Sequence, residues 1–556
     1  MQTHPPSESD LLVVGSGIAG MTAALAAHAQ GLRVAVIEKT DRLGGSSAMS
    51  GGIMWLPNNP LLTEDGVADS VEWGRAYLDS CVGDAGPASS GERRDAFLRS
   101  VPDLINFLRA QGIRLRRGSF PDYHPENPGG LREGRTIGGV AWDLHQLGPL
   151  ESVMRERAML PGVPLHVDDL GDLMAATRSL RGMGRAARVA GRLLAGRARR
   201  QELGTMGSSL MGQLLAAARD RRVPMSINVG LTELIATDTG VAGAVCQDAE
   251  GRQINVRSRA VLLACGGFSH NLEMRKQYQP QPASTNWTAA NPGDTGEGIL
   301  AGEAVGGALD LMDNTIWIGA SKLTDGRVEM HEPDRHMPFS LIVDQTGNRF
   351  VNEAAPYVPF GQAVYRRQQT APAIPSWLVV DSRHRHRYPL GEVVPFGLTP
   401  SAARARGIVK ADSLEELARA AKIDVAGLES TVKRFNAMAI AGRDLDFGRG
   451  DSYFDRYLSD PTVRPNPNLG PLERPPFYAV PVFPGDVGTS GGLLTDEYAR
   501  VLNKDGDVLD GLYAAGNCTA SVMGRSYPGP GASLGAAAVF GFRAASHLAE
   551  PGGEAV

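Results

Sequence analysis

The sequence predicts an α/β protein organised around a Rossmann-like parallel sheet. An apolar run, Leu11 to Val14, precedes a glycine-rich turn, an alanine-rich stretch and a second apolar run that ends at Glu38. Such fully apolar runs are typical of strands that are buried on both faces of a parallel sheet. Alternating and apolar runs follow at 223–268, and a further buried strand is predicted within 506–517.

Length, charge and cysteine content limit the class of protein. The chain has 556 residues, a formal net charge of −5 and four cysteines. This length predicts two or more domains, and mild acidity gives no indication of a nucleic-acid partner. The cysteines show no metal spacing, so we expect reduced thiols in a cytoplasmic protein and no metal site. His384 and His386 are expected at the surface. There is no secretory signal, and no apolar run reaches the ~18 residues of a membrane span.

The glycine-rich turn has the spacing of a dinucleotide-binding fingerprint. Gly15 permits the tight turn, Gly17 lets a pyrophosphate approach the backbone, and Gly20 lets the helix pack on the strand. The helix N-terminus then offers free N–H groups to the phosphates. Glu38 lies about where a ribose-binding acid is expected. Because strand, glycines, helix, strand and acid occur in the required order, we expect a bound dinucleotide.

A second loop rich in glycine and serine, "KTDRLGGSSAMSGGIMW" at 39–55, indicates which dinucleotide binds. A nicotinamide enzyme has no particular need of this loop, whereas FAD reaches further and its isoalloxazine ring must be seated. We therefore predict FAD. The predicted FAD-binding residues in this part of the chain are Gly15, Gly17, Ile18, Ala19, Gly20, Glu38, Lys39, Gly44, Gly45, Ser46, Ser47, Ser50, Gly51 and Gly52.

The order of these elements resembles the FAD-binding domain of the glutathione-reductase-like flavoproteins. It is still more similar to the fumarate reductase/succinate dehydrogenase flavoprotein superfamily. The runs at 223–268 end in a pair of glycines, the late strand ends at Gly516 and Asn517, and "GDTGEGI" at 293–299 is similar to a superfamily segment near the flavin. The resemblance adds Val229, Ala264, Gly266, Gly267, Asp294, Gly516, Asn517, Ala532 and Leu534 to the predicted FAD site.

The resemblance also implies a domain organisation, because chains of this superfamily begin and end in the flavin domain. It predicts an FAD-binding domain of residues 1–312 and 488–556, and an inserted α+β catalytic, substrate-capping domain of residues 313–487. A flavin linked through histidine, as in succinate dehydrogenase, needs a histidine in the second glycine loop. Residues 44–52 contain none, so we expect non-covalent FAD.

Residues 173–201 contain eight arginines and no acidic residue. Five arginines recur at steps of three and four, which places them on one helix face, with apolar side chains roughly opposite. Such a basic amphipathic helix predicts a peripheral contact with the inner face of the membrane. A solvated helix packed on its own protein and a subunit contact are the alternatives. The five are Arg178, Arg181, Arg185, Arg188 and Arg192.

Three tyrosines occur in loops that prolines make rigid. Tyr123 lies in "FPDYHPENPGG", Tyr357 in "NRFVNEAAPYVPFG" and Tyr527 in "SYPGPGASLG". Proline fixes φ and so reduces the disorder of the segment that carries each phenol. Any one of them taken alone is most simply a packing or hydrogen-bonding residue. Three together in a flavoprotein favour an active site.

These segments resemble the 3-ketosteroid Δ1-dehydrogenases. The YPGPG motif of that family is complete at Tyr527–Gly531 and is the most specific match. The flavin loop matches at Gly44–Trp55, the PDY loop at Pro121–Tyr123 and the NExxPY segment at Asn352–Tyr357. The resemblance covers nearly the whole chain, and about 165–222, which holds the arginines, is extended relative to short family members.

The resemblance implies a mechanism. The Tyr527 hydroxyl and the Gly531 N–H would polarise the 3-ketone of the steroid, and one such donor is worth ~3–4 kcal/mol in other enzymes. Tyr357, as phenolate or nearly so, would take the carbon 2 proton, with Tyr123 donating a hydrogen bond to it and relaying the proton outward. A hydride would pass from carbon 1 to flavin N5, and an unidentified acceptor, with a quinone as one candidate, would reoxidise the cofactor. Gly529 and Gly531 are expected to let the ligand approach the backbone.

Three alternative functions remain open. A 3-ketosteroid Δ4-(5α)-dehydrogenase would use the same flavin and similar phenols, although YPGPG favours the Δ1 reaction. A fumarate-type reductase needs paired arginine and histidine for two carboxylates, and its "HGxNRLG"-like segment is replaced here by "SYPGPGASLG". A peripheral membrane flavoprotein that only binds or shuttles would have no need of three phenols.

Overall fold

The computed structural model describes residues 4–157, 162–238 and 240–550. Residues 1–3, 158–161, 239 and 551–556, which the sequence assigns to the FAD-binding domain, lie outside the described part. The described chain contains a large sheet with a parallel centre and a separate antiparallel sheet, both covered by helices. This mixed α/β architecture confirms the predicted fold class.

The elements are numbered in chain order. The strands are β1 Glu8–Val14, β2 Val34–Glu38, β3 Ile53–Trp55, β4 Leu115–Arg117, β5 Thr136–Gly139, β6 Trp142–Asp143, β7 Leu203–Gly204, β8 Met225–Ile227, β9 Val229–Ala236, β10 Val241–Asp248, β11 Gln253–Leu263, β12 Leu309–Asp310, β13 Thr315–Lys322, β14 Val328–Met330, β15 Ser340–Val343, β16 Ser376–Val380, β17 Val409–Ala411, β18 Phe477–Thr489, β19 Gly492–Leu493, β20 Arg500–Leu502 and β21 Val508–Ala514. The α-helices are α1 Ile18–Ala29, α2 Gly45–Met49, α3 Pro60–Glu64, α4 Val71–Val82, α5 Gly91–Ala110, α6 Val167–Met174, α7 Leu180–Ala198, α8 Met206–Asp220, α9 Leu272–Tyr278, α10 Glu297–Ala304, α11 Pro333–His336, α12 Tyr357–Gln368, α13 Ser382–Arg387, α14 Pro400–Ala405, α15 Leu414–Ala421, α16 Val425–Ala441, α17 Tyr453–Tyr457 and α18 Ala532–Ala549. Short 3-10 helices lie at Pro87–Ser89, Leu144–Val153, Thr285–Trp287 and Gly516–Cys518.

The fingerprint strand forms the centre of the large sheet. β1 pairs in parallel with β2 on one side and with β11 on the other, and Leu12 lies opposite both Ala35 and Val261. β8 and β21 extend the parallel part beside β2 and β11. The apolar side chains of β1 are buried because helices cover the sheet, with the alanine-rich α1 and α18 packed against each other. The carboxyl ends of these parallel strands therefore share one edge, where ligands bind in such sheets.

The second sheet is antiparallel and lies entirely in the later part of the chain. Its order is β14-β13-β18-β16-β15, with β17 also paired to β18. The long β18 crosses the sheet and bonds to β13, β16 and β17. Separate apolar clusters pack on this sheet beneath α12, α15 and α16. Its strands span residues 315–489, and the division into the two predicted domains stays a prediction.

The arginine-rich segment forms helix α7, and the structure shows which way it faces. Arg185 pairs with Asp169 and Asp172 on α6, at 3.2 and 2.9 Å, and Arg192 pairs with Asp169 at 2.7 Å. Part of the arginine face thus attaches the helix to its own protein instead of facing outward. The apolar side of α7 lies in solvent. The exposed fractions are 85% for Leu180, 49% for Met183 and 64% for Leu194.

The surface position expected for His384 is wrong. Its side chain is fully buried in α13, and Nε2 lies 3.2 Å from the carbonyl oxygen of Asp334. Burial lowers the pKa of His384 to about 4, which keeps the imidazole neutral. His386, two residues later on the same helix, is exposed and its ring stacks on Phe396. Helix periodicity puts the two histidines on opposite sides of α13.

Candidate active site

A cavity of about 350 Å³ joins the edge of the large sheet to the second sheet. One part of its wall consists of residues that follow β1, β2, β11 and β21. The other part comes from β13, from α11 and from the first residue of α12. The cavity therefore lies between the predicted cofactor-binding edge and the predicted catalytic domain.

The nucleotide end of the cavity carries the groups that a pyrophosphate and a ribose require. Gly17 precedes α1 without a side-chain cap of its own, so N–H groups in the first turn other than that of Ile18 are available to an anion. Glu38 is buried at the end of β2 and accepts hydrogen bonds from the Ser16 hydroxyl at 2.7 Å and from the Thr40 N–H at 3.0 Å. These bonds hold the carboxylate at the cavity wall. The donor set therefore fits the dinucleotide part of FAD.

The second glycine loop is tied to both sides of this site through two serines of α2. The Ser47 hydroxyl accepts a hydrogen bond from the Ile18 N–H at 3.1 Å, and the Ser46 hydroxyl donates to Asp294 at 3.1 Å. Asp294 is buried, and burial raises its pKa to about 7. The loop is thus attached both to the start of α1 and to the segment that carries Asp294.

Most of the predicted FAD-binding residues line the cavity, and a few lie directly behind its wall. Those behind the wall are Gly20, Gly44, Gly52, Gly267 and Ala532. Their contributions to FAD binding, like those of the lining residues, stay predictions. The lining residues are Gly15, Gly17, Ile18, Ala19, Glu38, Lys39, Gly45, Ser46, Ser47, Ser50, Gly51, Val229, Ala264, Gly266, Asp294, Gly516, Asn517 and Leu534.

The three phenols come together at the other end of the cavity. The ring centroids of Tyr123 and Tyr357 are 5.6 Å apart, those of Tyr357 and Tyr527 are 5.3 Å apart, and those of Tyr123 and Tyr527 are 6.1 Å apart. All three residues line the cavity, as does Gly531. Segments separated by more than a hundred residues in the chain thus form one cluster of hydroxyls beside the start of α18.

A buried polar network supports the loop that carries Tyr123. Asp122 accepts hydrogen bonds from Trp55 Nε1 at 2.7 Å and from the Leu131 N–H at 2.9 Å. Arg135, with no exposed surface, pairs with the same carboxylate at 2.6 Å and with Asp69 at 2.6 Å. A fully paired buried network of this kind holds its members in one arrangement. Asp122, the acid of the PDY motif, was not among the site residues predicted from the sequence.

The turn that carries Tyr527 is shaped by packing against strand β3. A Cβ atom on Gly529 would lie 2.2 Å from Trp55 Cδ1, and one on Gly531 would lie 2.0 Å from the carbonyl oxygen of Ile53. Both positions need glycine because the protein itself fills the space that a side chain would occupy. The expected approach of the ligand to this backbone stays a prediction. Gly531 also has φ of 86°. Its N–H has no acceptor among the described residues and lines the cavity.

Burial makes the phenols less acidic. It raises the pKa values of Tyr123 and Tyr357 well above the usual value for tyrosine. The Tyr527 hydroxyl lies 2.9 Å from Ser533 Oγ, in the first turn of α18. Tyr123 and Tyr357 are therefore neutral donors in the absence of other charges. Tyr357 needs stabilisation of its anion before it can act as a base.

Several lining residues were not anticipated from the sequence. Apolar side chains form most of the wall near the phenols, and one acid, Glu332, interrupts it. Glu332 lies just before α11, in a segment without any motif. Side chains of this kind carry no local signal, because only the tertiary fold brings them to the cavity. The apolar group contains Phe120, Val167, Leu170, Met206, Ile318, Met330 and Leu458.

Outside the cavity, three side chains approach the spacing of a metal site. Ligand atoms of His145, Glu151 and Glu202 lie within 4.8 Å of one another at the surface. His145 Nδ1 is 2.9 Å from a Glu151 oxygen, and this hydrogen bond raises the pKa of His145. The cluster is explained by ion pairing and carries no further conclusion.

Comparison with known proteins agrees with this geometry. A family model described as FAD binding domain matches residues 10–534. A 3-oxosteroid 1-dehydrogenase of Mycobacterium tuberculosis is 41% identical, with 98% of this chain and 99% of the relative covered. The crystal structure of the 3-ketosteroid Δ1-dehydrogenase of Sterolibacterium denitrificans, in complex with 1,4-androstadiene-3,17-dione, superposes with a TM-score of 0.92 at 34% identity, covering 98% of this chain and 100% of that one.

A more distant likeness shows the fold alone. The 3-ketosteroid Δ4-(5α)-dehydrogenase of Rhodococcus jostii RHA1 superposes with a TM-score of 0.63 at 22% identity, covering 99% of this chain and 98% of that one. The family model spans most of the chain, and identity above 40% extends along nearly all of it. The chain therefore belongs to the FAD-dependent 3-oxosteroid 1-dehydrogenase family of oxidoreductases.

Proposed function

We propose that this protein introduces the 1,2 double bond into 3-ketosteroids, with Tyr357 as base and Tyr527 and Gly531 as the ketone clamp. The observation that carries the proposal is the convergence of the three phenols and an unpartnered N–H of Gly531 at one end of a largely apolar cavity. An apolar wall with a few convergent polar groups suits a steroid nucleus with one ketone.

The ketone clamp follows from two hydrogen-bond donors that lie in the same turn. The Tyr527 hydroxyl and the Gly531 N–H both donate, and together they stabilise negative charge on the ketone oxygen as the enolate forms. Loss of one such donor lowers the rate by about 10²–10³ in other enzymes. Because the cluster is buried, these hydrogen bonds act in a medium of low polarity, where they are stronger than in water.

Proton removal falls to Tyr357, which lies beside both other phenols. A hydrogen bond donated by the Tyr123 hydroxyl stabilises the Tyr357 anion, and Tyr123 then passes the proton outward. Bound FAD would supply the acceptor for the carbon 1 hydride. No histidine occurs in the second glycine loop, which supports non-covalent binding of the cofactor. The two segments 1–312 and 488–556 would bind it, and 313–487 would cover the substrate.

Product identity tests the reaction, and two variants test the roles. Anaerobic mixing with androst-4-ene-3,17-dione should bleach the flavin absorbance and give the 1,4-diene. A 5α-saturated 3-ketone that gives a Δ4 product instead would transfer the assignment to the Δ4 reaction.

Tyr357→Phe should lose about 10²–10⁴ in turnover while retaining FAD and steroid. Tyr365→Phe, a buried phenol outside the cavity lining, is the matched control and should remain active. Normal turnover of Tyr357→Phe would remove Tyr357 as the base.

We propose in addition that the outer face of α7 docks on an anionic bilayer at the cytoplasmic side. Apolar residues recur along this face, and arginines lie at its margins. Arg188, Arg197 and Arg199 are exposed, and no acidic residue occurs within 173–201. Each basic residue close to the headgroups adds about 1 kcal/mol of attraction. No helix in the described part of the chain is long and apolar enough to span a bilayer, so contact through α7 would be peripheral.

The position of α7 connects this docking to the substrate. α7 packs on α6, and Val167 and Leu170 of α6 line the cavity. A steroid dissolved in the bilayer would therefore reach the enzyme on the side of α6, and a membrane quinone would be a suitable electron acceptor. The triple variant L180Q/M183Q/L194Q should lose binding to vesicles that contain phosphatidylglycerol. Replacing exposed leucines elsewhere, L272Q/L300Q, should leave binding unchanged. Equal binding by both variants would refute docking through α7.

A further inference from the structure

A buried ion pair lies in the cavity wall next to the phenols. The Arg335 guanidinium has no exposed surface and donates a short hydrogen bond to Glu332. Glu332 lines the cavity, where its side chain keeps 18% of its surface exposed. It is the only charged lining residue within the described chain that lies away from the nucleotide end. The pair therefore places one carboxylate at the reacting end of an otherwise apolar wall.

Arg335 also holds the segment that leads into Tyr357, the first residue of α12. Its Nη1 donates to the carbonyl oxygen of Ala355 at 2.6 Å and to that of Glu353. Its guanidinium carbon lies 4.9 Å from the ring centre of Phe360, one turn into α12. The residues before and after Tyr357 are therefore both attached to one buried cation. Five donors in a rigid plane allow arginine to make all these contacts at once.

The other ionisable groups around the phenols have settled roles. His336 Nε2 lies 3.6 Å from Glu332, and burial lowers the pKa of His336, so its ring is neutral. Asp455 acts on His336 and on His124, the residue after Tyr123. In the described part of the chain, the groups that face the phenols or their ion pair are Glu332, Arg335, His336, Tyr527, His124 and Asp455.

We propose that Glu332 and Arg335 form a positioning pair that fixes Tyr357 at the substrate and sets the charge around the phenols. This inference rests on the proposed role of Tyr357 as the base. Arg335 acts through the backbone on either side of Tyr357. Glu332 neutralises Arg335 and adds a negative charge on the cavity side of the pair. Neither residue exchanges a proton with the substrate.

The charges of the two partners act in opposite directions. Burial is the main cause of the high pKa of Tyr123, the Glu332 carboxylate raises that pKa further, and the Arg335 guanidinium lowers it. Removal of the carboxylate therefore makes Tyr123 more acidic, whereas removal of the guanidinium makes it less acidic. The effect reaches Tyr357 through its direct contact with Tyr123. A residue that only stabilised the fold would not produce shifts of opposite sign.

The pH dependence of kcat/KM gives the decisive measurement, since its rising limb reports the base of the free enzyme. Glu332→Gln should move this limb down by about one pH unit, the size expected for one charge several ångströms away at an effective dielectric constant of ~20. Arg335→Gln should move it up and also lower the plateau. Arg335→Lys keeps the positive charge but loses the several hydrogen bonds of the planar guanidinium. The rising limb should therefore stay in place while the plateau of kcat/KM falls. The double variant E332Q/R335Q should return the limb to near its original position.

A matched control and a second readout keep the test decisive. Arg406→Gln breaks the buried pair with Glu329 in the same part of the chain, where Arg406 does not line the cavity, and should leave the limb unmoved. Spectroscopic titration of tyrosinate in the holoenzyme should show the same opposite shifts without turnover. The proposal would be overturned if the variants lowered kcat/KM at every pH without moving the rising limb. It would also be overturned if Glu332→Gln and Arg335→Gln moved the limb in the same direction. If Arg335→Gln does not fold, Glu332→Gln decides alone.

The base assignment of Tyr357 and the positioning role of Glu332 and Arg335 can be refuted independently. An active Tyr357→Phe enzyme would refute the base assignment, whatever Glu332 and Arg335 do. An inactive Tyr357→Phe enzyme together with an unmoved limb in Glu332→Gln would refute only the positioning pair.

Discussion

The backbone N–H of Tyr123 donates a hydrogen bond of 3.0 Å to the carbonyl oxygen of Pro528. Two loops that are about 400 residues apart in the chain thus share one contact at the position of the proposed proton relay and the proposed ketone clamp. Tyr77 reinforces it, because its hydroxyl donates to the same carbonyl at 2.6 Å and accepts the His124 N–H at 3.0 Å. The spacing of the three phenols is therefore set by backbone contacts as well as by ring packing.

Tyr77→Phe should loosen this junction. The substitution leaves the His124 N–H without a partner and removes one bond to Pro528, which costs about 1–3 kcal/mol of stability. We also expect kcat to fall several-fold while FAD remains bound, because the phenols lose their fixed spacing. Thermal unfolding and steady-state kinetics of the holoenzyme measure both effects. Tyr388→Phe removes a buried phenol that is bonded to Asp460 and does not line the cavity, and it should lower stability without changing kcat. Unchanged kcat in both variants would contradict the role given to Tyr77.

Gly531→Ala should disrupt the turn through the protein's own backbone. The added methyl group would meet the Ile53 carbonyl oxygen at 2.0 Å, and φ of 86° is unfavourable for alanine. Overpacking adds roughly 1–3 kcal/mol to the cost of strain alone. We expect loss of stability and a large loss of kcat as the N–H donor moves.

Gly506→Ala separates strain from packing. Gly506 has φ of 90°, yet no atom lies within 4 Å of its Cβ position. We expect only about 1–2 kcal/mol of destabilisation and full activity. The measurement is chemical denaturation of both variants beside turnover. Equal destabilisation by the two substitutions would show that contact with Ile53 does not determine the turn.

The flavin-binding half of the fold was predictable because its signals are local. The apolar run of β1, the spaced glycines and the alanine-rich α1 each follow from neighbouring residues, and the structure places them as expected. Tyr123, Tyr357 and Tyr527 were also found, since proline and glycine mark their loops in the sequence. Periodicity gave the helical form of α7 for the same reason.

What escaped prediction depends on contacts between distant segments. The direction in which the arginines of α7 face follows from ion pairs with Asp169 and Asp172. Both acids lie before residue 173, so the pattern within 173–201 does not include them. The glycines of the YPGPG turn are explained by Trp55 and Ile53, which belong to a strand near the other end of the chain. Glu332 reaches the cavity only because the second sheet packs there. Neither hydrophobic periodicity nor a short motif indicates contacts of this kind.

Asp294 should make the stability of the apoprotein depend on pH. Burial raises its pKa to about 7, whereas the unfolded value is about 4, so the folded state holds this proton more tightly. Stability from this group is therefore complete below about pH 4 and is lost as pH rises toward 7, by a few kcal/mol in all.

Asp294→Asn removes the titration while keeping a partner for the Ser46 hydroxyl, and should flatten this part of the profile. Urea unfolding of the apoprotein at several pH values between about 5 and 8 measures the slope. Asp248→Asn serves as control, since the pKa of that carboxyl is lowered by Arg252 and it does not titrate in this window. An unchanged slope in Asp294→Asn would show that the carboxyl is already ionised in the folded apoprotein.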